Sequence, residues 1–137
     1  MFNEEMRQEL IKAAVERRTV TYGYLMKKFR MSRGSVDGDT VVGALSEIDN
    51  HEYETGAPGF AAIVVRKDTG YPGGGFFCWD GVPAEARRKK DAAQNPNLSD
   101  SEKRYVDEER VKIWNYYRSR YPTHYGLESF AEDAPNP

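Results

Sequence analysis

Three stretches decide how this chain folds: Thr19-Val-Thr-Tyr-Gly-Tyr-Leu25, Thr40-Val-Val-Gly-Ala-Leu-Ser-Glu-Ile48, and Ala61-Ala-Ile-Val-Val-Arg-Lys-Asp-Thr-Gly-Tyr-Pro-Gly-Gly-Gly-Phe-Phe77. In the first, the β-branched Thr19–Thr21 predicts an extended entry. Thr21 suits the N-cap of a short helix over 22–29, with Leu25, Met26 and Phe29 as its apolar face. In the second, Val41, Leu45 and Ile48 recur at helical spacing, and Val42 and Ala44 widen the stripe, so a helix is expected over 40–49. In the third, the apolar run Phe60–Val65 lies between Pro58-Gly59 and Arg66-Lys67 and reads as a buried strand. Asp68-Thr69-Gly70 and Pro72 to Gly75 then form a glycine-rich tip, and Phe76–Trp79 reads as a returning strand.

Outward from this centre, the spacing of Met6, Leu10, Ala13 and Ala14 predicts a helix over 3–18, capped by Asn3 with Glu4 and Glu5 in its first turn. Met31–Ser35 reads as a turn and Asn50–Gly59 as a loop. Pro83 suits the start of a helix running to about Ala93. Ser99 and Glu102 form a capping box for a last helix reaching Arg120, ended by Pro122. Helix, helix, strand, tip, strand is the order of a winged helix-turn-helix. The expectation is therefore an α+β fold of that kind with added N- and C-terminal helices. One domain spans 1–121, and an acidic tail, 122–137, is expected to be disordered.

The 137 residues carry 20 Lys and Arg against 22 Asp and Glu, for a net charge of -2. The charge is uneven. Residues 1–30 hold seven Lys and Arg against four Glu, whereas the tail holds Glu128, Glu132 and Asp133 with no cation. No apolar run is as long as a membrane span. The polar start Met1–Glu5 does not read as a secretory leader. A single cysteine, Cys78, rules out an internal disulfide and a multi-cysteine zinc site. A cytoplasmic protein with no membrane partner is expected.

Candidate contacts to nucleic acid are cationic. Arg66 and Lys67 stand at the strand end before the tip, where a wing meets phosphate. Lys27, Lys28, Arg30 and Arg33 precede the second helix. Ser35 and Thr40 would lie nearest base edges, at the start of that helix. Asp37, Asp39, Glu47 and Asp49 oppose this reading by placing negative charge on or beside it. Arg87 to Lys90 form a further basic run. Gly73–Gly75 are not followed by the Gly-Lys-Ser/Thr of a phosphate-binding loop. His51 and His124 fit no zinc spacing, and Cys78, between Phe77 and Trp79, has no adjacent activating base. No catalytic residue, metal or cofactor is expected.

Val20-Thr21-Tyr22-Gly23-Tyr24-Leu25 resembles the entry motif of the O6-alkylguanine-DNA alkyltransferase and alkyltransferase-like fold. Val42-Gly43-Ala44-Leu45 resembles its recognition helix, and Ile63 to Gly75 its strand and wing. Small prokaryotic proteins of this scaffold are similar too. The family's Pro-Cys-His-Arg motif is absent, with its cysteine falling near Ala62 and its histidine near Ile63. Its base-replacing arginine has no counterpart on the helix from Thr40. The resemblance thus implies a scaffold that binds double-stranded DNA, and implies neither alkyl transfer nor base flipping. The expectation is a non-enzymatic, mainly backbone-reading DNA binder. The alternative is a protein-interaction or homodimer module on the same scaffold.

Overall fold

The computed structural model describes residues 3–34, 39–79 and 81–121. It is a helix-dominated α+β fold with four helices and one small sheet among those residues. Helix α1 (Glu4–Val15) is capped by Asn3, whose side chain accepts the Met6 N–H at 3.0 Å. It buries Met6, Leu10, Ile11 and Ala13–Val15. Strand β1 (Val20–Thr21) leads straight into α2 (Tyr22–Phe29), where Thr21 accepts the Tyr24 N–H as the N-cap. Arg30, at φ 55°, ends α2 in the left-handed conformation, a common helix terminus.

Helix α3 (Val41–Glu54) runs five residues past the expected 49. Its extra turn is stabilised by a partner distant in sequence. Glu52, 2% exposed, accepts from Arg7 Nε of α1 at 2.8 Å, and its other carboxylate oxygen lies 2.7 Å from the Tyr117 hydroxyl. A buried charge would be costly alone, and this one is paired and hydrogen-bonded.

Strand β2 is only Val64–Val65, preceded by a 3-10 turn at Ala61–Ile63. It pairs parallel with β1, Val20 opposite Val64 and Thr21 opposite Val65. The returning strand expected at Phe76–Trp79 is instead a second 3-10 turn, Gly74–Phe77. Phe77 is buried there against the Arg88 guanidinium, 5.2 Å from its ring centre, and Phe76 packs 5.7 Å from Tyr105. Side-chain burial, not strand pairing, therefore fixes this segment.

The helix expected from Pro83 to Ala93 is replaced by turns, with one 3-10 turn at Lys90–Ala92. Arg88 is the cause. It binds the Glu102 carboxylate and the carbonyls of Ala92, Asn95 and Asn97, so the chain wraps around its guanidinium. Helix α4 (Asp100–Arg120) starts from the predicted capping box and packs Tyr105, Val106, Ile113 and Tyr117 into the core. Tyr117 stacks on Phe60 at 4.6 Å. The tail 122–137 lies outside the described residues. No described helix is long and apolar enough to cross a membrane.

Candidate nucleic-acid interface

The tertiary fold brings the three decisive stretches around one open cleft of about 810 Å³. One wall is α3, through Val42, Leu45, Ser46, Asp49 and Tyr53. The opposite wall holds Tyr22, Arg33, Arg66 and Gly73–Phe76. Pro58 to Ala62 and α4 close it off.

Arg33 is placed by stacking. Its guanidinium lies 4.2 Å from the centre of the Tyr22 ring. A Cβ added to Gly73 would sit 2.5 Å from Arg33 Nη2, so glycine at 73 makes room for the cation. Arg66 is held by a two-pronged contact to Asp68, 2.9 and 2.7 Å. That hydrogen bond raises the Arg66 pKa, so the cation stays charged. Both arginines thus border the cleft.

The other predicted contacts lie around this centre. Lys27, Lys28 and Arg30 are exposed at the C-terminal end of α2, and Lys67 is exposed beyond β2. Lys28 approaches Glu9 at 3.9 Å, a weak surface pair. Among the described residues no ion pair engages Lys27, Arg30, Arg33 or Lys67. Thr40 is the N-cap of α3, its hydroxyl accepting the Gly43 N–H at 3.1 Å. The Val41 and Val42 N–H groups donate to the carbonyls of Ser32 and Arg33. The first turn of α3 is therefore committed to the protein's own backbone. Ser35 and Asp37 lie outside the described residues.

The acidity of α3 is less exposed than the sequence suggested. Asp49 is 6% exposed and turns inward, its Oδ1 accepting the Phe60 N–H at 2.6 Å. Burial pushes its carboxyl up to about 7, opposed by the N–H groups of Phe60 and Ala61. Of the acids weighed against DNA, Glu47 and Asp39 remain outward.

The basic run Arg87–Lys90 divides. Arg88 is the clamp described above, and Arg87 Nε donates to the Val82 carbonyl at 2.9 Å. Lys89 and Lys90 are exposed. Cys78 lies within 3.7 Å of the Gly74 carbonyl and 3.6 Å of the Lys89 carbonyl and does not line the cleft. His51 approaches Glu52 at 3.8 Å. His124 is outside the described residues. Among the described residues no cluster of His, Cys, Asp and Glu could hold a metal ion.

The sequence reading missed the cleft itself, together with Tyr22, Asp49, Tyr53 and Trp79 on its walls. Tyr53 and Trp79 are each 50% exposed. Two large half-exposed aromatics on one concavity are a ligand-site signal, but only folding brings them together. No family model, curated protein or solved structure matches this chain.

Proposed function

We propose that the protein is a non-enzymatic DNA-binding protein on a winged-helix-like scaffold. Lys27, Lys28, Arg30, Arg33, Arg66 and Lys67 grip phosphates, and the cleft receives an unstacked base. The observation that carries this reading is the meeting of Arg33 and Arg66 on one cleft walled by α3. In this reading the segment from Arg66 to Gly75 serves as the wing and α3 as the recognition helix. The inward turn of Asp49 removes one of the charges that would repel phosphate. Tyr53 and Trp79 offer stacking surfaces for a base, a sequence-tolerant contact.

Fluorescence anisotropy of a labelled duplex of about 25 base pairs tests this across a salt series. Affinity is expected to fall steeply with salt, in proportion to the phosphates engaged. Arg33→Ala should lower the slope by about one. A 2-aminopurine placed in the duplex should brighten on binding if a base leaves the stack. Absence of binding at ~50 mM salt, where non-specific affinity is strong, would overturn the reading.

The half-exposed Tyr53 and Trp79, with Glu47 and Glu54 outward on α3, favour a second reading: a protein partner or second copy seated in the cleft. Competition between the duplex and a bound partner at the same residues would separate the two.

A further inference from the structure

The floor of the cleft is fastened to α3 through one side chain. Asp49 Oδ1 holds the Phe60 N–H at 2.6 Å, and the Ala61 N–H also favours its charged form. The fit is tight: a Cβ at Gly59 would sit 2.5 Å from the Asp49 carboxyl carbon. Gly59, Ala61 and Ala62 all line the cleft, and Phe60 is stacked on Tyr117 behind it. A movement of this segment away from α3 would change the cleft's shape directly.

The setting of Asp49 makes that fastening sensitive to a proton. The carboxyl is buried, and among the described residues no ion pair engages it. Its charge is compensated by backbone N–H groups alone. Within α3 it faces Glu52 and the phenol of Tyr53, and from α4 the phenol of Tyr117. The segment from Pro58 to Ala61 brings no titratable group. Arg7 of α1 is spent on Glu52. The remaining charges on the cleft, Arg33, Arg66 and Glu109, sit on its other walls. Desolvation and a neighbouring carboxylate both favour the neutral acid, and only two N–H groups oppose them.

We propose that Asp49 is a proton-operated latch on the floor of the cleft. Protonated, it is the neutral acid that burial favours, and the Gly59–Ala61 backbone stays seated against α3. Ionised, the carboxylate has only the Phe60 and Ala61 N–H groups to offset the cost of burial, and movement of the floor away from α3 hydrates it. The cleft is then firmer below neutral pH and more yielding above it. This inference rests on the floor of the cleft and not on the identity of its occupant.

The test is NMR on the labelled wild-type protein, with no ligand added. The Asp49 carboxyl carbon is expected to titrate with a midpoint near 7, well above the ordinary ~3.9 of an aspartate. The amide protons of Phe60 and Ala61 should move with the same midpoint. In Asp49→Asn they should be independent of pH over this range. A carboxyl carbon that titrates near the ordinary value would overturn the latch. So would a midpoint near 7 with the Phe60 amide unmoved. If the variant does not fold, the wild-type titration decides alone. Because no DNA is present, a failure here is distinct from a failure of the DNA reading.

Discussion

The Arg33 guanidinium lies over the ring of Tyr22, 4.2 Å from its centre, and the Tyr22 hydroxyl lies 3.4 Å from the Gly73 N–H. One tyrosine therefore ties the residue that opens α2 to the linker before α3 and to the glycine-rich tip. Those three segments frame the cleft. An arginine resting on an aromatic face keeps its charge while losing conformational freedom, so it is ready to meet a phosphate.

Tyr22→Leu and Arg33→Ala should separate platform from charge. Loss of the ring removes a cation–π contact of about 0.5–1 kcal/mol and should weaken duplex binding a few-fold with an unchanged salt slope. Loss of the guanidinium should lower the slope itself. Equal slopes for Arg33→Ala and wild type would exclude Arg33 as a phosphate contact.

Arg88→Met should destabilise the fold by about 3–5 kcal/mol in urea unfolding, because it strands the Glu102 carboxylate. The two side chains are only 7% and 9% exposed. The double variant Arg88→Met with Glu102→Leu should recover much of that loss. Burial works against the Glu102 charge, but hydrogen bonds from Arg88 and Ser99 outweigh it and hold its pKa below the usual range. The stability from Glu102 is thus present above the ordinary carboxylate pKa and lost as pH falls through the depressed one.

Asp49 has the opposite sign. Its folded carboxyl, raised by burial to about 7, binds a proton that the unfolded chain has already released above ~4. Stability from this group is therefore full below ~4 and declines as pH rises to about 7. The difference in Tm between wild type and Asp49→Asn, taken from pH 5 to 8, should show wild type losing ground as pH rises. A constant difference would mean that Asp49 carries its charge throughout.

Tyr117→Phe should cost about 1.5–3 kcal/mol in chemical unfolding. The hydroxyl lies 2.7 Å from Glu52 Oε1 and 2.6 Å from the Pro58 carbonyl, so its loss leaves a buried carboxylate one hydrogen bond short. Gly59→Ala should cost about 1–3 kcal/mol by overpacking against Asp49.

What the sequence revealed was local. The Thr21 cap of α2, the Asn3 cap of α1 and the Ser99–Glu102 capping box are decided within four residues, and all three form as expected. What it hid was long-range. Residues 50–54 looked like a loop because Glu52 was read without Arg7, which reaches it from α1. Residues 83–93 looked helical because nothing local shows that Arg88 gathers three backbone carbonyls and Glu102. The Val64–Val65 segment was legible as buried extended chain, but its parallel partner, Val20–Thr21, lies far away in sequence. The candidate cations were named from their places before the second helix and at the strand end, and of these Arg33 and Arg66 border the cleft. The cleft between them needed α2, α3 and α4 in place, and so did the inward turn of Asp49.

The most direct test of the central claim is the footprint of a short duplex on the isotopically labelled protein, read from backbone amide shifts at low salt. The account predicts perturbations at the C-terminal end of α2, through Arg30 and Arg33, at Arg66 and Lys67, and along Gly73–Gly75. It also predicts that they fade together as salt is raised. Shifts confined to α4, or a spectrum unchanged by the duplex, would contradict it.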